Sequence, residues 1–183
     1  MLAIAGSLRP GSYNRMLLDA AARLLPEDVE IEIWDALAEI PAYGQHLDGP
    51  LAPALVHALR DAIAAADALL IAIAEYNASL PGALKNALDW ASRPYPDNAL
   101  RGKPAAVIGA STGPFGAVWA QAEVRKVLRT SGARVLDDDL PVGQAHDAFD
   151  AGRRLVDEDL SARLAALLTA LVAEAGALIA CAT

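Results

Sequence analysis

The stretch ALLIAIAEYNASLPGALKNALDW, Ala68 to Trp90, decides the fold. Its first seven residues, Ala68 to Ala74, are wholly apolar, the pattern of a strand covered on both faces rather than one with a wet side. The pattern then changes abruptly. Glu75, Tyr76 and Asn77 form a polar turn, and Pro81 stands where a first helical turn tolerates a residue without an N–H. Leu84, Ala87, Leu88 and Ala91 follow as an apolar stripe at helical spacing, with Asp89 and Arg93 reading as an i,i+4 ion pair on the outside.

Working outward from this unit, the same alternation recurs. The sequence predicts strands at Leu2 to Ala5, Val29 to Trp34, Ala68 to Ala74, Ala105 to Ala110, and Ala133 to Leu136 with a continuation toward Val142. Helices are predicted near Asn14 to Leu25, Leu51 to Ala66, Gly82 to Ser92, Ala117 to Ser131 and Asp157 to Ala177. Such βα units joined by right-handed crossovers make a doubly wound, three-layer α/β fold around a parallel five-stranded sheet. With strand order 2-1-3-4-5, the carboxyl ends of strands one and three flank the switch point where ligands bind. Asp35 to Pro50, which holds Pro41, Gly44 and Gly49, reads as a surface excursion.

Residues 1–183 are expected to form one domain, large enough to bury a core without metals or disulfides. Apolar content is 55% and aromatic content only 5%, the difference being alanine, which favours helices packed closely on a sheet over a β-sandwich. A formal charge of -8 argues against sequence-independent nucleic-acid binding, which needs a basic surface. The single cysteine, Cys181, and the lack of a charged-then-apolar leader point to a reduced, cytoplasmic protein. Leu164 to Thr183 carries one charge, Glu174, and has the length of a membrane span. Its alanine richness, Thr169, Gly176 and the absence of a following basic cluster favour instead a helix packed on the sheet or on another subunit.

The loop GSLRPGSYN, Gly6 to Asn14, lies where the first strand hands over to the first helix. Free N–H groups and the positive dipole end of that helix face the loop, a geometry that attracts phosphate. Ser7 and Ser12 offer hydroxyl donors, Arg9 a forked cation, and Gly6 and Gly11 allow close backbone approach. Asn14 suits either an N-cap or direct binding. A nucleoside-triphosphate loop is excluded, because Ser12 and Tyr13 follow Gly11 where lysine and a magnesium-binding hydroxyl belong. The dinucleotide fingerprint fails too, with Leu8 in place of its second glycine. A serine-rich loop with one arginine and no magnesium ligand fits a terminal phosphate monoester, such as that of FMN.

Two further loops belong to the same sheet edge. The Glu75 to Asn77 turn can face a flat heterocycle with its backbone N–H groups and aromatic ring. After strand four, Ser111, Thr112, Gly113, Pro114, Phe115 and Gly116 suit contact with the far edge of a ring system, or mark a plain turn. His46, His57 and His146 lack metal-ligand spacing, so no metal site is expected. Ser111 lies in no nucleophile elbow, and no side chain stands out as a catalytic acid or base.

These three motifs, GSLRPGSYN, EYNASLPGALKNALDW and the GASTGPFG of Gly109 to Gly116, resemble the NADPH-dependent FMN reductase family, which includes quinone and chromate reductases of flavodoxin-like fold. The likeness runs over about residues 1–135. It implies that Ser7, Arg9, Ser12 and Asn14, with the backbone of Leu8, Pro10, Gly11 and Tyr13 between them, hold the FMN phosphate. It further implies that Ala74, Glu75, Tyr76 and Asn77 line the isoalloxazine and that Ser111 contacts the flavin, with Thr112 and Gly113 beside it. Members commonly carry proline where Ala74 stands. The implied activity is hydride transfer from NADPH or NADH to bound flavin and on to a small electron acceptor such as a quinone, by a homodimer or homotetramer. An electron carrier of the same fold, or a non-enzymatic binding module, would use the same cleft.

Overall fold

The computed structural model describes the backbone of residues 1–182 and the side chains of residues 1–177; the Cys181 side chain and the end of the apolar run 164–183 lie outside the described residues. Ten principal elements alternate along the chain: β1 (Leu2–Ala5), α1 (Tyr13–Leu24), β2 (Glu32–Trp34), α2 (Ala54–Ala65), β3 (Leu69–Ile73), α3 (Gly82–Ala91), β4 (Pro104–Ala110), α4 (Val118–Thr130), β5 (Arg134–Val142) and α5 (Glu158–Ala182). All strand pairs are parallel and the order is β2-β1-β3-β4-β5, as the sequence predicts.

Alternation along the strands builds two separate cores. Leu2, Ile4, Leu69, Ile71, Ile73, Ala105 and Val107 point to the face covered by α2, α3 and α4. Ala3, Leu70, Ala72, Ala106 and Ile108 point to the other face, against α1 and α5. Both sides of β3 and β4 are therefore dry, which explains their unbroken apolar sequences. From α5, Leu164, Leu167, Leu168 and Leu171 supply the buried stripe. By length and composition alone that helix could cross a membrane; here its leucines cover the sheet.

Several boundaries differ from the sequence reading for identifiable reasons. Strand β2 starts at Glu32 rather than Val29, because Val29 N–H closes a turn onto the Pro26 carbonyl (3.0 Å). Helix α2 starts at Ala54 rather than Leu51, since Gly49–Leu51 forms a separate 3₁₀ turn and Pro53 occupies the N-cap. On α3, Asp89 pairs with Lys85 (2.6 Å), not with Arg93; the Arg93 guanidinium reaches Tyr43 Oη (3.1 Å) and Asp48 (3.7 Å) instead.

The segment after β2 is more than a surface excursion. Leu37 and Ile40 are buried in the core under α3. Asn86 Oδ1 accepts from Tyr43 N–H (2.8 Å), Asn86 Nδ2 donates to the Pro41 carbonyl (2.9 Å), and Trp90 Nε1 donates to the same carbonyl (2.8 Å). Arg60 completes the anchor, donating to the Trp90 carbonyl (3.0 Å) and facing Asp48 at 3.6 Å. Burial pushes the Arg60 guanidinium below its ordinary range, and the Asp48 charge opposes that shift.

Candidate flavin-binding cleft

Three βα loops converge at the carboxyl edge of β1, β3 and β4 and enclose an open cleft of about 220 Å³. Ser7, Arg9, Ser12, Tyr13 and Asn14 line it from the first loop, Ala74, Glu75 and Tyr76 from the second, and Ser111 and Thr112 from the third, with Ala110 between. Leu8, Pro10, Gly11, Asn77 and Gly113, also singled out in the sequence, stand in the same loops outside this lining.

The first loop is held by helix capping. Ser12, not Asn14, is the N-cap of α1: its Oγ accepts from Asn14 N–H (3.2 Å) and its hydroxyl hydrogen is left to point elsewhere. Upstream, Ser12 N–H closes a turn onto the Arg9 carbonyl (3.1 Å), with Gly11 supplying the positive φ of +67° that this turn requires. Asn14 is 3% exposed, and its amide grips the end of β4. Its Nδ2 donates to the Ala110 carbonyl (3.0 Å) and its Oδ1 accepts from Ala110 N–H (2.9 Å). The carboxamide therefore locks the first loop to the third.

This end of the cleft is short of negative charge. The first turn of α1 contains no acidic residue, although acids are favoured there. The N–H groups of Leu8, Arg9, Gly11 and Tyr13 make no backbone hydrogen bond among the described residues. Nor does Arg9 pair with a carboxylate among them; its guanidinium lies 5.3 Å from the centroid of the Tyr13 ring. Unpartnered donors, a free cation and a helix N-terminus in one place fit a phosphate dianion.

The second loop is a two-residue hairpin. Tyr76 and Ser79 exchange two backbone hydrogen bonds (3.1 Å each) across Asn77 and Ala78, whose φ values of +54° and +57° are those of a type I′ turn. Tyr76 N–H is thereby engaged, leaving the N–H groups of Glu75 and Asn77 to face a ligand. Tyr76 is 54% exposed, leaving its side chain open to a flat partner.

The Glu75 carboxylate has a structural job. It accepts from Trp119 N–H (3.1 Å) and Ala120 N–H (3.0 Å) and so caps α4, whose own N-cap position holds Ala117. In the reverse direction Glu123, on α4, accepts from Ser79 Oγ and Leu80 N–H (3.3 Å). This double brace holds the turn against α4.

The third loop is fixed by its neighbours. Ser111 Oγ accepts from Gly113 N–H (3.1 Å), and the Ser111 and Gly113 carbonyls accept from Ala145 and Gln144 N–H (3.0 Å each). Gln121, fully buried, donates to the Gly116 carbonyl (2.9 Å) and accepts from Leu140 N–H (3.3 Å). Sequence reading missed Gln121, Glu123 and the segment after β5, because each acts through backbone groups distant in the chain. Among the described residues no cluster of three or more metal-ligating side chains occurs.

Comparison with known proteins gives the family. The family model for NADPH-dependent FMN reductase matches residues 1–147. The chain is 45% identical over 159 residues to the NAD(P)H-dependent FMN reductase PA1204 of Pseudomonas aeruginosa, covering 86% of this chain and 85% of that protein. It is 39% identical over 157 residues to the 2-hydroxy-1,4-benzoquinone reductase of a Burkholderia species, covering 85% of each. Among solved structures, the flavoenzyme NAD(P)H:(acceptor) oxidoreductase FerB from Paracoccus denitrificans superposes with a TM-score of 0.84 at 36% identity over 96% of both chains. A match whose span takes in all three cleft loops, in a sheet of this order, means that the chain belongs to the NADPH-dependent FMN reductase family.

Proposed function

We propose that the protein is an NAD(P)H-dependent oxidoreductase that holds FMN in this cleft and reduces a quinone or a similar small acceptor. The observation that carries the reading is the acid-free N-terminus of α1, with its unpartnered N–H groups and Arg9, beside the exposed ring of Tyr76. Ser7, Arg9, Ser12 and the backbone of Leu8 to Tyr13 hold the phosphate, while Asn14 positions that loop against Ala110. Ala74 to Asn77 line the isoalloxazine, with Ser111, Thr112 and Gly113 at its far edge. When bound, FMN supplies the redox centre, which takes a hydride equivalent from a nicotinamide and gives it up to the acceptor.

The chain's own work is binding and orientation. Hairpin and double brace fix the second loop, so that Glu75 and Asn77 N–H groups meet the ring already aligned. No side chain is assigned as a proton donor. We read the protein as a cytoplasmic homodimer or homotetramer; the exposed side chains of Tyr76, Phe115 and Trp119 support a further surface closing over this edge. A charge of -8 and the leucine stripe of α5 packed on the sheet support the absence of nucleic-acid and membrane partners.

Rapid mixing of the FMN-loaded protein with NADPH and NADH tests the reading. Fast bleaching of the flavin absorbance, followed by recovery on adding a benzoquinone, is expected. Bleaching far slower than steady turnover requires would make the protein an electron carrier, and failure to take up FMN would make it a binding module for another ligand.

A further inference from the structure

The segment after β5 lies largely beyond the part of the chain that the family model matches, which ends at residue 147. It folds into a small hairpin. Phe149 bridges Leu155, Val156 N–H donates to the Ala148 carbonyl (3.1 Å), and Asp150 N–H donates to the Arg154 carbonyl (3.0 Å). Asp150 Oδ1 accepts from Arg154 N–H (2.8 Å) and closes the tip. The hairpin delivers one aromatic ring to the cleft's first loop: Phe149 lies nearly parallel to Tyr13, at an interplanar angle of 12° and a centroid separation of 6.2 Å. Tyr13 in turn carries the Arg9 guanidinium over its own ring, 5.3 Å from the centroid.

Arg9 is a long side chain on an exposed loop, and its ordering on contact with an anion costs rotamer entropy. A guanidinium already resting on a fixed aromatic face loses less. Tyr13 is the first residue of α1, so its backbone is set by the helix, while its ring is set by what packs beside it. One such neighbour is Phe149.

We propose that Phe149 is a positioning residue for the phosphate end of the cleft: by packing on Tyr13 it holds Arg9 poised for a phosphate monoester and so biases the site toward the phosphorylated flavin. The proposal rests on the FMN reading above and adds a role for a residue outside the three cleft loops. It separates two ligands that share a ring and differ in the phosphate, FMN and riboflavin.

The test is titration of both flavins into the full-length protein, by quenching of flavin fluorescence, for wild type, Phe149→Leu, Phe149→Tyr, Arg9→Ala and the double variant Arg9→Ala/Phe149→Leu. Phe149→Leu is expected to weaken FMN about three- to fivefold, the size of one cation–π contact, and to leave riboflavin unchanged. Phe149→Tyr, which keeps the aromatic face, restores FMN affinity to within about twofold of wild type on the same scale. In the Arg9→Ala background, Phe149→Leu has no further effect on FMN.

Equal weakening of both flavins, or an undiminished loss in the Arg9→Ala background, overturns the proposal and leaves Phe149 a packing residue. Wild-type protein that binds neither flavin overturns the FMN reading itself, a result distinct from either. Should Phe149→Leu fail to fold, Phe149→Met with the same two ligands decides it: Phe149→Met loses the FMN preference over riboflavin while Phe149→Tyr keeps it, and equal preference in both contradicts the role.

Discussion

Asn14 and Ala110 exchange two hydrogen bonds across 96 residues of chain, and this one buried amide ties the first cleft loop to the third. Replacing it tests how far the cleft depends on that link. Asn14→Asp is isosteric but has no donor for the Ala110 carbonyl and sets a carboxylate oxygen against it. We expect a loss of about 2 kcal/mol in unfolding free energy by denaturant titration, the cost of an unmet buried polar group. FMN affinity should fall with it. An unchanged denaturation midpoint would show that the amide is dispensable.

Ala78 sits in the left-handed region at φ +57°, where a β-carbon is unfavourable. Ala78→Gly is therefore expected to stabilise the protein by about 0.5–1 kcal/mol, after allowing for the greater freedom of glycine in the unfolded chain. Thermal unfolding reads this as a rise of about 1–4 °C for a chain of this size. A lower melting temperature would mean that the turn is not type I′ in solution.

Gly116 lies where the third loop meets the end of β5, and a β-carbon there would come within 2.4 Å of the Pro141 carbonyl carbon and 2.5 Å of Val142 N. Both contacts are backbone, so no rotamer change relieves them. Gly116→Ala should cost more than about 2 kcal/mol. It should also disturb Ser111, whose N–H donates to the Val142 carbonyl (3.0 Å). Unaltered thermal stability would require a different path for this loop.

Legibility in the sequence followed the range of the interactions. Strands β1, β3 and β4 were readable because burial on both faces leaves unbroken apolar runs, and the gathering of Ser7, Arg9, Ser12, Tyr76 and Ser111 at one cleft was readable because each lies in a loop that follows a strand of the same sheet edge. Roles set by distant partners were not. Asn14 looks like an N-cap or a direct ligand until Ala110 comes to lie beside it; the capping role of the Glu75 carboxylate shows only once α4 presents its bare N-terminus. The Leu37–Ile40 segment has no periodicity, and its burial is decided by Asn86 and Trp90, some forty-five residues on.

The FMN phosphate is expected at the start of α1. A crystal structure of the protein soaked with FMN tests it most directly. The phosphate should lie within about 2.7–3.2 Å of the Ser7 and Ser12 hydroxyls and of N–H groups between Leu8 and Tyr13, with the Arg9 guanidinium beside it and the ring running toward Tyr76. A flavin seated elsewhere, or a phosphate directed away from this helix end, would contradict it.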